Sequence, residues 1–311
     1  MKFALFLKGF HEVNLLDNYS DKIQSTMNEI IDKELLIDQD FKKMIISFVK
    51  QECFNFGELC LLHFLDQGGR FGETIVKAAA AIELIIVASN IIDDLQDQDQ
   101  PNRWGNHPAL TLNAAIAILT MGNKTLRSLD SEFTETAMST IEYYSLSSIN
   151  GQHLDLLNQA SDQSSYLEMI ELKSASLCIM SCAVGSILAT GEVSKEILQY
   201  AKSIGIIQQI KNDLQGLNDW NHSNDLLNRR YTLPVIYLMN TNHKLVNNLK
   251  QYYRGDDVEL NLSELKDLIQ FSGAYQYTIA IKNVYKHKTL ILIENNVKSK
   301  DLQNFLIKLM K

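Results

Sequence analysis

Ile91-Ile92-Asp93-Asp94-Leu95-Gln96-Asp97-Gln98-Asp99 closes an apolar run that begins at Val76. Ala78, Ala79, Ala81, Ile82, Leu84, Ile85, Ile86, Val87 and Ala88 make that run apolar nearly all round a helix, the pattern of a helix enclosed by its neighbours. Its C-terminal end then carries Asp93, Asp94, Asp97 and Asp99, where the negative end of the helix dipole disfavours anions. Asp93 and Asp97 stand four apart and share a face, so both can point at one ion. A hard divalent cation offsets their repulsion, and Mg²⁺ commonly takes one or two carboxylates together with substrate phosphate oxygens. A solvated acidic helix end is the competing reading of this stretch alone. The rest of the chain decides.

Length by itself suggests about two domains, but only Pro101, Pro108 and Pro234 occur among 311 residues and no Gly/Ser/Pro-rich linker divides them. With 46% hydrophobic residues, the expectation is one helical domain over 1–311. A net charge of −8 excludes nucleic acid as a partner, which would require a basic stripe. Cys53, Cys60, Cys178 and Cys182 lack CxxC spacing, and the last two sit one turn apart in an apolar run, as buried reduced thiols do. No run is expected to reach the length and purity of a membrane span. Met1 to Lys8 holds an apolar core too short for a signal peptide. These features point to the cytoplasm.

Apolar residues recur at three- and four-residue spacing from Ser20 onward: Ile23, Met27, Ile30, Ile31 and Leu35, then Phe41, Met44, Ile45, Phe48 and Val49. Further helices are expected over Phe56–Leu65, from Gly72/Thr74 into the central run, after Pro108, and over Ser131–Leu157, Tyr166–Leu188 and Lys195–Leu217, with another opening at Pro234. No period-two alternation with hairpin turns occurs. The fold class is all-α, long helices about a shared core.

Three polar insertions interrupt these apolar helices: Gly151-Gln152-His153-Leu154-Asp155-Leu156, Lys173-Ser174, and Gln208 to Gly216 with Gln209, Asn212 and Asp213 inside it. Each alone reads equally as a satisfied buried network. Together with the aspartates they supply two acidic or amide clusters and a lysine. That set suits the holding of a diphosphate through bridging Mg²⁺ as it departs.

In this order the motifs resemble those of the all-α trans-isoprenyl diphosphate synthases, over roughly Gly68 to Pro234. Asp93-Asp94-x-x-Asp97 is similar to the first aspartate-rich motif, and Arg103 to the first arginine of the basic element after it. Gly151-Gln152-x-x-Asp155-Leu156 looks like the family's GQxxDL. Tyr166-Leu167-x-x-Ile170-x-x-Lys173-Ser174-Ala175 looks like its YxxMIxxKT element. Gln209-x-x-Asn212-Asp213 falls where the second aspartate-rich motif belongs, and Arg229 to Pro234 resembles GKxTxP. The resemblance implies an isoprenoid-synthase bundle around a prenyl-binding cavity. It implies Mg²⁺ held by Asp93, Asp94, Asp97, Asn212 and Asp213, and an allylic diphosphate gripped by Arg103, Lys173 and Arg230. Gln209 is expected to orient a metal-bound water. Asp93, Asp97, Lys173 and Gln209 are then the catalytic set. Ser89 and Ala88, four and five positions before the first motif, imply a tunnel floor open toward Ile85 and a preference for farnesyl over geranyl.

Departures from the family pattern concern the second substrate. Gly68-Gly69-Arg70-x-x-Glu73 is placed against the element that binds isopentenyl diphosphate, with Glu73 where an arginine is usual. Ile86 replaces a histidine and Trp104 the second arginine of the basic pair. An acceptor bearing about three negative charges needs cations to replace its hydration. Arg70, Glu73 and Trp104 are therefore expected to border a different acceptor. Asn212 and Gly216 stand where the second motif usually has aspartates. This pattern resembles the ComQ-type isoprenyltransferases, which attach a geranyl or farnesyl group to a tryptophan of a peptide quorum-sensing pheromone precursor. A chain-elongating synthase and a non-catalytic subunit are the other readings. Homodimer formation and peripheral membrane contact are left open.

Overall fold

The computed structural model describes residues 15–35, 38–50, 55–97, 104, 107–218 and 224–311. Among them every regular element is a helix, as the periodicity predicts. The first three are α1 (Leu15–Glu34), α2 (Gln39–Val49) and α3 (Asn55–Asp66); α4 (Glu73–Asp97) is the apolar run with its acidic end. Next come α5 (Pro108–Arg127), α6 (Thr134–Leu157), α7 (Gln163–Ile170), α8 (Ser176–Thr190) and α9 (Lys195–Asn218). The chain continues with α10 (Leu233–Met239), α11 (Lys244–Arg254), α12 (Leu262–Phe271), α13 (Ala274–Asn296) and α14 (Lys300–Leu309).

α4 is enclosed because it has no polar face along most of its length: Ala78 to Ile82, Leu84, Val87 and Ala88 are fully buried. α8 is enclosed in the same way, from Ser176 to Leu188. α4 and the continuous helical stretch Gln163–Thr190 that ends in α8 carry enough length and apolarity to cross a membrane, contrary to the expectation that none would. Their apolar windows are 83% and 89% buried inside the bundle. Their hydrophobicity is spent on neighbouring helices. The described cysteines, Cys60, Cys178 and Cys182, are buried and free, and burial pushes the Cys178 thiol up to about 12. Cys53 lies outside the described residues.

The Gly68-Gly69 pair is a helix stop. Gly68 adopts φ +93°, the left-handed conformation that favours glycine. Its N–H donates to Leu65 O at 3.0 Å and that of Gly69 to Phe64 O at 2.9 Å, closing α3. Asp66 beside it accepts from Lys298 N and Ser299 N, at the α13–α14 junction. Arg70 and Glu73 are exposed there, and Glu73 pairs with Lys77 at 2.5 Å. Glu73 lies 20 residues before Asp93 on one helix, so about 30 Å separates them along its axis. The assignment of Arg70 and Glu73 to an acceptor site is thereby corrected. Gly-Gly is there because α3 must end and turn back.

Candidate functional site

Lys173 sits on a short π-helical turn, Glu171–Ala175, between α7 and α8. Such turns widen the helix by one residue and recur at functional sites. Here α6 makes room for it: a Cβ on Gly151 would stand 2.1 Å from Lys173 N. Ser148 of α6 adds a hydrogen bond to Lys173 O at 2.8 Å. Gly151→Ala must push the turn away, at a cost of about 1–3 kcal/mol for overpacking. The expected outcome is a lowered melting temperature together with a weakened affinity for diphosphate, both measurable on the purified protein.

The Lys173 ammonium, almost fully buried, lies 2.5 Å from Asp155 and 3.5 Å from Asp93. Arg230 reaches into the same cleft, 3.0 Å from Asp97 and 3.8 Å from Asp155. Burial pushes the Asp155 carboxyl up, but Lys173 and Arg230 outweigh it and hold the group below the usual carboxylate range. Arg230 is aimed by Asn158, the left-handed C-cap of α6 (φ 50°). The Asn158 amide donates to Arg229 O at 2.7 Å and accepts from Tyr231 N at 3.1 Å. Arg229, itself at φ 58°, turns instead over the Tyr252 ring. Of the two arginines, Arg230 serves the cleft.

On the opposite wall Asp213 is fully buried in a network. It accepts from the Tyr166 hydroxyl, from Leu233 N at 3.1 Å and from Gln209 Nε2 at 3.2 Å. Burial pushes its carboxyl up to about 6, against the pull of those three donors. Gln209 is also engaged at its other end, accepting from Ser174 at 2.8 Å. Gln209 thereby links the π turn to Asp213. Asp213 ties α7, α9 and α10 together from the back of the cleft.

Asp94 is turned 100° from Asp93, and its Oδ2 accepts from the Trp104 indole at 2.7 Å. Trp104 is buried against Phe48, with its carbonyl bound by Thr111. Asp94 thus anchors a side chain through Oδ2, and Trp104, expected to border the acceptor, is itself buried. Trp104→Phe removes one donor from a buried carboxylate. It should lower stability by about 1–3 kcal/mol, read in a denaturant titration, while leaving diphosphate binding in place. Arg103 lies outside the described residues.

The cleft so formed has a volume of about 80 Å³ and is lined by Asp97, Asp155, Asp213 and Asp225 against Lys173 and Arg230. Two polar atoms in its wall, Asn212 Nδ2 and Thr232 Oγ1, are buried without a hydrogen-bond partner. Buried polar atoms are seldom left so unless a ligand or ion completes them. Among the described residues no three Asp, Glu, His or Cys side chains converge to hold a metal unaided. The oxygen donors nevertheless fit a hard cation that brings further oxygens with it, the habit of Mg²⁺ with phosphates. Below Asp93, Ser89 shares its face and bonds Ile85 O at 2.9 Å. Ala88 is fully buried and lies 140° round the helix, and Ile85 is turned to α5 at Gly122.

Asp155 and Tyr166 stand inside sequence motifs that assign them no role, and Asn158 and Asp225 belong to no motif. An asparagine directly after a long helix is itself a signal for a left-handed cap.

The polyprenyl synthetase family profile matches residues 58–270. The chain belongs to that family. Its members are enzymes of prenyl transfer, and so is this one. It is 36% identical over 269 residues to the tryptophan prenyltransferase ComQ of Bacillus subtilis subsp. natto (strain BEST195), across 85% of this chain and 84% of the relative. The protein of the same name from Bacillus spizizenii is 32% identical, across 84% of this chain and 95% of its own. Among solved structures, a geranylgeranyl pyrophosphate synthase superposes with a TM-score of 0.80 at 18% identity, covering 96% of this chain and 99% of that one. A polyprenyl synthase from Caulobacter crescentus CB15, described as complexed with calcium and isoprenyl diphosphate, gives 0.76 at 17% identity, covering 97% and 98%. These two show the fold.

Proposed function

We propose that the protein is a Mg²⁺-dependent isoprenyltransferase that moves an allylic prenyl group from diphosphate to a tryptophan of a peptide pheromone precursor. The observation that carries this reading is the 36% identity to a tryptophan prenyltransferase over most of both chains. The cleft supports the donor half. Lys173 and Arg230 bring two cations to the mouth of a site walled by carboxylates, the arrangement that stabilises charge growing on a leaving diphosphate.

In this reading the allylic C–O bond breaks, and the bonding pair leaves with the diphosphate. Lys173 and Arg230 exchange their carboxylate partners for its oxygens. Asp93, Asp97 and Asn212 would hold Mg²⁺, which supplies Lewis-acid neutralisation of the diphosphate when bound. The allylic cation is shielded from water by the apolar face below Asp93, where Ser89, Ile86 and Ile82 follow one another along α4. The indole of the acceptor forms the new bond and loses its proton to the departed diphosphate.

The test offers geranyl and farnesyl diphosphates with Mg²⁺, and isopentenyl diphosphate and tryptophan-containing peptides as competing acceptors, with products read by mass spectrometry. Prenylated peptide is the expected product. Elongated diphosphates with unmodified peptide would replace this reading by a chain-elongating synthase. Ser89→Phe should shift the donor preference toward the shorter chain. Ala88→Phe, on the packed face, should instead destabilise the fold by about 1–3 kcal/mol. A donor preference unchanged in Ser89→Phe would remove that face of α4 from the prenyl site.

A further inference from the structure

The second polar cluster lacks an acidic side chain at position 216, one helical turn after Asn212 on α9. The space is not empty. A Cβ built on Gly216 would stand 2.0 Å from Oδ2 of Asp225, 2.6 Å from its Cγ and 2.9 Å from Oδ1. The Asp225 carboxylate therefore lies directly on the α9 backbone, and only glycine leaves it room. Two backbone hydrogen bonds fix it there: Asp225 N donates to Gly216 O at 3.3 Å, and Arg230 N donates to Asp225 O at 2.8 Å. The same short loop thus delivers a carboxylate to α9 and, five residues on, the Arg230 guanidinium to Asp97. Asp225 lines the cleft together with Asn212, whose buried amide nitrogen has no partner.

We propose that Asp225 is the cation-binding carboxylate of this wall, a loop residue standing in the volume that Gly216 vacates. Its ligand is a hard divalent cation carried by the oxygens of a diphosphate. The inference rests on the diphosphate reading above but not on the identity of the acceptor. Physically the exchange is reasonable. The loop reaches that volume because Asp225 N is bonded to Gly216 O, which brings its carboxylate over the last turn of α9. Position 216 then acts through its emptiness, and any side chain there evicts the ligand.

The experiment measures Mn²⁺ binding by electron paramagnetic resonance in the presence of inorganic pyrophosphate, using the full chain. Asp225→Asn, close to the native shape, should lower Mn²⁺ affinity at least about tenfold, and Gly216→Ala should do the same by displacing the carboxylate. Moving the group, in the double variant Gly216→Asp with Asp225→Ala, should recover most of the affinity. Gly216→Ala with Asp225→Ala should not. Circular dichroism and melting temperature establish that each variant is folded. Should Asp225→Asn bind Mn²⁺ as wild type does, or the transplant recover no more than its alanine control, the inference is overturned while the diphosphate reading stands. Should wild type itself bind no Mn²⁺ with pyrophosphate, both fall.

Discussion

Lys173→Met should abolish nearly all turnover and unsettle the fold in the absence of metal. The two losses have one origin. Lys173 is a cation 2.5 Å from Asp155 and 3.5 Å from Asp93 in a place that water scarcely reaches. Taking it away leaves carboxylates facing one another, and removing one partner of a buried pair costs about 3–5 kcal/mol. Catalysis loses one positive group aimed at the leaving diphosphate, worth about 10²–10³ in kcat. Lys173→Arg keeps the charge but needs more room beside Gly151, so it should recover stability better than rate. The decisive comparison is the melting temperature with and without Mg²⁺ and pyrophosphate. The variant should gain more from the metal than wild type does, because a divalent ion can replace the missing charge. Equal gains would mean that Lys173 does not face the metal-binding carboxylates.

The bundle was legible because its signals are periodic and redundant. α4 declares itself through ten apolar residues in eleven positions, 78–88, and Pro108 and Pro234 mark helix starts that hold. Lys173, Asp93 and Asp97 were legible for another reason: a charge inside an apolar helix must be compensated, so its presence announces a partner. What failed were short matches without such a cost. Gly68-Gly69 satisfies a substrate-binding pattern and a helix stop equally well, and two glycines cannot distinguish them. Trp104 was read as a missing cation, when the indole N–H of a buried tryptophan seeks an acceptor and finds Asp94. Asp225 and Asn158 lie in loops, where nothing in the spacing tells which helix they will meet. Their roles arise only when α6, α9 and the segment at 224–232 are packed together.

Asp97→Ala is expected to divide the electrostatics of the site in the opposite sense from the sequence. Read along α4 alone, Asp97 repels Asp93 at the unfavourable end of a helix dipole, so removing it should hold or raise the stability of the metal-free protein. In the structure Asp97 faces Arg230 at 3.0 Å, and its side chain is only 9% exposed. Arg230 keeps Asp155 at 3.8 Å and part of its guanidinium in water, so the loss stays below that of a fully buried pair, at about 1–2 kcal/mol. The pairing outweighs the repulsion because it acts at contact distance, whereas Asp93 already has Lys173 beside it. Metal-free Asp97→Ala should therefore melt lower than wild type, and its turnover should fall about 10²–10³-fold. Asp97→Asn separates the two effects. Its amide oxygen still accepts from Arg230, restoring most of the stability, while the lost charge leaves turnover near the alanine level. A metal-free Asp97→Ala protein more stable than wild type would show that repulsion along α4 dominates and that Arg230 is held in the cleft by Asn158 and Asp155 alone.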